Sequence, residues 1–182
     1  MIFVMMLSVL TPTVSAAQNA SMDYSKEEIV SMSLETNYSG FEFNVDKAIS
    51  LGMTKEDALE AEKSFEELNS HIQAEKEPPQ IEPKSKGSIA VKAAIDYMKK
   101  NKIKIDHAID DGIEKIPFVK DKVKENWKET VSIVSIINAM EHYVGIVESV
   151  EEAISNAITD TSAIPKWAAD IIAKTITLVL PI

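Results

Sequence analysis

The chain contains no cysteine, so a disulfide framework, a thiolate nucleophile and a cysteine-ligated zinc site are all excluded. It also contains no arginine; each of its 19 cationic residues is a lysine. Bidentate recognition of phosphate or carboxylate, which favours the planar guanidinium fork, therefore has no residue to carry it. Glycine is scarce, at five positions, and none of them forms a glycine-rich loop able to cradle phosphate. The formal net charge of −10 disfavours general attraction to nucleic acid or to anionic lipid for the intact chain. Strand signals are few, and no repeat with a period of roughly 20 to 50 residues is apparent.

What the 182 residues do offer is helical patterning, at 45% hydrophobic and 26% charged composition. The segment Thr130–Val147, TVSIVSIINAMEHYVGIV, has no charge between Glu129 and Glu141 and is apolar on nearly every helical face. This reads as a central helix surrounded by partners. At about 1.5 Å per residue the eleven uncharged residues are too short to cross a hydrocarbon core of about 30 Å.

At the front, the apolar run Ile2–Leu10 is followed by Val14-Ser15-Ala16, the small-residue spacing of a signal-peptidase site. Residues 1–16 are expected to be a signal peptide cleaved after Ala16, which makes the protein secreted. No lysine precedes the apolar run, so either the true signal begins further upstream or the signal is atypical.

Between Gln18 and Lys86 fifteen acids face seven lysines, a net of −8, whereas the rest of the chain beyond that point nets −2. Residues 17–74 accordingly read as an acidic, partly helical prosegment. Ser25-Lys26-Glu27-Glu28 is a capping box, and Asn37–Phe43 reads as a loop. Val45–Leu51 is a short helix stopped by Gly52, and Thr54 caps a longer one. That longer helix carries only a thin stripe, Ala58, Ala61, Phe65, Leu68 and Ile72, which either packs on the C-terminal half or leaves the helix marginal alone.

Residues 75–87, EKEPPQIEPKSKG, form a proline-rich linker that cannot hold a helix. Its Lys84, Lys86 and Gly87 are candidate processing positions.

Residues 88–182 then read as an all-α domain, a bundle of about five helices. The first runs through Ile89, Ala93, Ala94, Tyr97 and Met98 into the cluster Lys99, Lys100, Lys102 and Lys104. A stripe of Ile105, Ile109, Gly112, Ile113 and Ile116 follows. Pro117 ends that helix or opens the next, and Phe118, Val119, Val123, Trp127 and Val131 lead into the central segment. Gly145 breaks or bends it. Pro165 opens a final, highly apolar helix containing Trp167.

Chemistry is weakly signalled. His107, Asp111 and Glu114 can share a helical face, but one imidazole with two carboxylates makes a poor metal site and no second cluster supports it. No serine lies in a nucleophile elbow. No metal, cofactor or catalytic residue is expected, and the chain is not read as an enzyme. The lysine cluster, Trp127 and Trp167 are instead the candidate contacts with a membrane or a partner.

The stretches VKAAIDYMKKN, MEHYVGIVESVEEAI and IPKWAADIIAKTITLVLPI resemble small secreted bacteriocin-like precursors of Gram-positive bacteria, of the enterocin type, over Ser88–Ile182. The resemblance implies a leader removed by a processing protease, and release of a helical antimicrobial peptide acting on competing microbes at a target-cell membrane or surface protein. The near-neutral charge of this half departs from that pattern and argues against direct lysis of anionic membranes. The other reading is a secreted helical binding or immunity module without toxic activity.

Overall fold

The computed structural model describes residues 24–37, 39–75 and 87–181. The signal-peptide expectation with Ala16, and most of the linker with Lys84 and Lys86, lie outside the described residues. Helix α1 (Lys26–Ser33) opens with the expected capping box: Ser25 Oγ accepts from Glu28 N–H at 3.2 Å, and Glu28 accepts from Ser25 N–H at 2.8 Å. Two strands follow, β1 (Leu34–Asn37) and β2 (Gly40–Phe43), paired antiparallel with Leu34 opposite Phe43 and Thr36 opposite Phe41. The expected loop is thus a hairpin. Its alternation puts Phe41 and Phe43 inward and Glu35 and Glu42 outward.

Helix α2 (Val45–Ser50) ends ahead of Gly52, whose φ of 108° suits glycine alone. Helix α3 (Lys55–Glu75) begins at Thr54, whose Oγ1 accepts from Asp57 N–H at 3.1 Å. Its stripe Ala58, Ala61, Phe65, Leu68 and Ile72 is buried in full, with Phe65 packed against the rings of Phe41 and Phe43 at 5.6 and 5.9 Å. Asn69, one turn beyond Phe65, pairs with Phe41 as a strand would: its Oδ1 accepts from Phe41 N–H and its Nδ2 donates to Phe41 C=O, both at 2.8 Å.

The later half holds α4 (Gly87–Lys100), α5 (Lys102–Glu114), α6 (Asp121–Thr130), α7 (Ile133–Tyr143), α8 (Val150–Thr161) and α9 (Lys166–Val179). The expected central helix is broken. Thr130 Oγ1 bonds the carbonyls of Asn126 and Trp127, closing α6, and Val131 and Ser132 are extended. Helix α7 buries one face only, Ile133, Ile136, Ile137 and Met140, while Val134 is 48% exposed.

The buried helix is α9. Ala168, Ala169, Ile171, Ile172, Ala173, Thr175, Ile176, Leu178 and Val179 are all buried, and α8, α5 and α3 surround it. Gly112 makes the α5 crossing close, since a Cβ there would stand 3.2 Å from Thr175 Oγ1 and 3.4 Å from Ile172 Cα. Pro117 neither closes α5 nor opens α6; it lies in the turn between them, before Phe118 at φ 62°.

The expected architecture, a five-helix C-terminal bundle with a separate prosegment, is therefore corrected. Among the described residues there are nine helices and one hairpin. A single buried cluster runs from Ile29 through Phe65 and Leu68 to Leu180. Helix α3 packs on α9 and α5; an ion pair from Lys115 to Glu67 at 2.6 Å reinforces it, and His71 Nδ1 lies 3.6 Å from the Asp111 carboxylate. Burying Phe65 and Leu68 contributes about 1.5–3 kcal/mol each, so the acidic half is a structural layer of the core. A detachable leader that releases an antimicrobial peptide is overturned on the same ground, because separation would strip α9 and α5 of their cover.

Candidate interaction surface

The lysine cluster forms a corner between two helices. Val91, Ala94, Ile95 and Met98 bury one side of α4, and its last turn presents Lys99 and Lys100, where cations suit the carbonyl end of the helix dipole. Asn101 alone joins α4 to α5. Its N–H donates to Tyr97 O at 3.0 Å, its Nδ2 donates to the same carbonyl at 2.9 Å, and its C=O accepts from Ile105 N–H. The Asn101 side chain is thereby spent on α4 and does not cap α5.

The buried stripe of α5 starts at Ile105, and Ile103, two residues earlier and about 200° around the helix, points outward at 76% exposure. Lys99, Lys100, Lys102, Lys104 and His107 surround it in one shallow depression. Lys99 is held by Glu141 of α7 at 2.8 Å; that bond raises the lysine's pKa above its ordinary value and lowers the carboxyl's. Lys104 reaches Tyr97 Oη at 3.5 Å. Lys100 and Lys102 pair with no carboxylate among the described residues, and the first turn of α5 has no acid to offset its positive dipole end.

The other candidates are placed differently. Trp127 is buried and stacks edge-on against half-buried Trp167, centroids 6.3 Å apart at 70°, a contact between α6 and α9. Gly87 is the first residue of α4, and a Cβ there would lie 2.6 Å from Glu148 O, so it is wedged against the α7–α8 connection. His107, Asp111 and Glu114 are dispersed: His107 sits at the lysine corner, Asp111 faces His71, and Glu114 accepts from Lys128 at 2.8 Å. No group of three or more His, Asp or Glu able to hold a metal exists among the described residues.

One polar constellation was not visible in the sequence. Buried Ser155 on α8 donates to Asp170 on α9, and Lys166 donates to Ser155 Oγ at 2.6 Å and pairs with Asp170 at 2.9 Å. A serine–lysine pair can be a nucleophile and base only if the lysine is deprotonated. Here Lys166 is paired with the Asp170 carboxylate and the Ser155 hydroxyl is closed from solvent, so the cluster fastens α9 to α8. The only sequence cue was the i, i+4 spacing of Lys166 and Asp170.

Fold and surface together define an all-α domain with a small hairpin, built around α9, with a basic corner. No helix among the described residues is long and apolar enough to cross a membrane. Comparison with protein-family models, curated proteins and solved structures gives no match.

Proposed function

We propose that the protein is an exported helical binding module that engages an acidic patch on a cell-surface protein through the α4–α5 corner. The observation that carries this reading is Ile103, three-quarters exposed within a ring of four lysines on a chain of net charge −10. An apolar centre rimmed by charge is the anatomy of a protein interface: the centre supplies desolvation, and the rim sets orientation and encounter rate. Export rests on the N-terminal apolar run and its Val14-Ser15-Ala16 site. The likeness to enterocin-type secreted proteins supports export as well, and kinship with them is part of the proposal.

The test is binding of the labelled intact chain to whole cells, before and after protease shaving of their surface, and to phosphatidylglycerol vesicles. Cell binding should vanish on shaving and fall at least tenfold in Lys100→Glu/Lys102→Glu and in Ile103→Ser. Binding that survives shaving and is matched by the vesicles would transfer the corner to lipid. Absence of binding to any cell, or binding indifferent to all three substitutions, would end the proposal. Intact-mass measurement of the protein from culture medium tests export; a mature chain still starting at Met1 would refute the signal reading.

A further inference from the structure

The hairpin has two edges, and among the described residues only one is closed. Asn44 N–H donates to Ser33 C=O at 2.9 Å, which sets the ladder parity: the Glu35–Glu42 pair exchanges bonds within the hairpin, while Thr36 and Phe41 turn their backbone groups away from each other. On the β2 side, the Asn69 amide takes both groups of Phe41. On the β1 side, Thr36 N–H and C=O meet no partner among the described residues, and neither does Leu34 C=O, whereas Leu34 N–H is satisfied by Val30 O. Asn69 therefore displays at Phe41 the bonding that Thr36 lacks.

This open edge borders a groove of about 250 Å³ whose floor includes Leu34, Phe41, Trp167 and Ile171. The outward face beside it carries an electrostatic conflict. Glu35 stands directly opposite Glu42, both exposed, with no cation paired to either among the described residues. Like charges directly across a ladder oppose pairing. Asp170 and Glu151 on the groove's far side are already held by Lys166 and Lys174.

We propose that the β1 edge is a docking site for an extended peptide that adds a third strand, with apolar residues at alternate positions directed to the groove and a lysine or arginine between them beside Glu35. Main-chain bonds to Thr36 give the added strand its hold, alternate side chains give it selectivity, and its cation settles the Glu35–Glu42 repulsion. The site shares no residue with the lysine corner and does not depend on it. Its charge requirement is opposite, so the two surfaces take different partners.

The probe is a capped peptide of alternating valine and lysine, titrated into the intact chain and followed by amide chemical shifts and Trp167 fluorescence. Wild-type protein should bind it, with the largest shift at Thr36. Thr36→Pro removes the outward N–H without touching the ladder, so the hairpin folds and peptide affinity falls at least tenfold. Glu35→Lys should likewise lose the valine–lysine peptide and gain a valine–glutamate one, a reversal that misfolding cannot produce. Three results would overturn the proposal: no binding by wild type, equal affinity in Thr36→Pro with its fold verified by circular dichroism, or a dimer of the free chain abolished by Thr36→Pro. The last would assign the edge to a second copy.

Discussion

Asn69 shows how one side chain can stand in for a strand. Removing it in Asn69→Ala leaves Phe41 N–H and C=O unpaired in a partly buried position, a loss of about 1–3 kcal/mol that urea unfolding would measure. Asn69→Asp keeps an acceptor for the N–H but sets a carboxylate against the carbonyl, so it should be no milder; a neutral result for both would mean that β2 is held by Phe41 and Phe43 alone. Gly87 makes a second residue-scale case. Gly87→Ala forces a methyl into Glu148 O, which must move the start of α4, and hydrogen exchange should quicken first around Val147 to Val150. The capping box at Ser25 was legible, because its two bonds join residues three apart in sequence. Neither Asn69 nor Gly87 was, since the partners are 28 and about 60 positions away and nothing local announces them.

At the scale of elements, short-range patterns located the helices and failed to rank them. Helix α3 was recognised by its threonine cap and stripe, but its thinness suggested a leader, when small Ala58 and Ala61 simply allow close packing. Thr130–Val147 looked central because no charge falls between Glu129 and Glu141, yet Ser132 at the N-cap and Ser135 and Asn138 within the helix supply α7 with a polar side that a charge count overlooks. The α9 helix kept Lys166, Asp170 and Lys174, and these are drawn to Ser155, Asn156 and Glu151 of α8, which leaves the rest free to be buried. The hairpin was missed although Gly40-Phe41-Glu42-Phe43 alternates in the manner of a half-buried strand. If α3 is part of the core, Leu68→Ala should cost about 2–5 kcal/mol and lower a single unfolding transition seen by both tryptophans. A shift confined to the hairpin and α3, with Trp127 and Trp167 unfolding as before, would restore the idea of a separable front half. Gly112→Val tests the α5–α9 crossing: overpacking against Thr175 and Ile172 should cost about 1–3 kcal/mol.

For the molecule as a whole, the layer-to-layer fastening is partly electrostatic, and its pH dependence has a definite sign. Lys115 holds Glu67 of α3 below its ordinary glutamate value through its hydrogen bond and its charge, and hydrogen bonds from Lys26 and Lys128 lower Asp57 and Glu114 in the same way. A carboxyl whose folded pKa is depressed contributes stability that is fully present above its unfolded value, 4.5 for glutamate, and is lost as pH falls through the folded value. Asp106 runs the other way, since burial and the neighbouring Asp110 raise its pKa, so acid relieves part of its cost. Lys99, raised by Glu141, adds stability that persists up to 10.5 and fades only above it. The Lys115–Glu67 pair is exposed enough for salt to screen it, so its share is small but separable. Lys115→Met should lower the urea midpoint near neutral pH, and the gap from wild type should close as pH falls below the ordinary glutamate value of 4.5 and Glu67 takes up its proton. A gap that stays constant through that range would show that Lys115 acts through the packing of its methylene stem. The ion pair between Lys115 and Glu67 would then have no part in holding the acidic layer to α5.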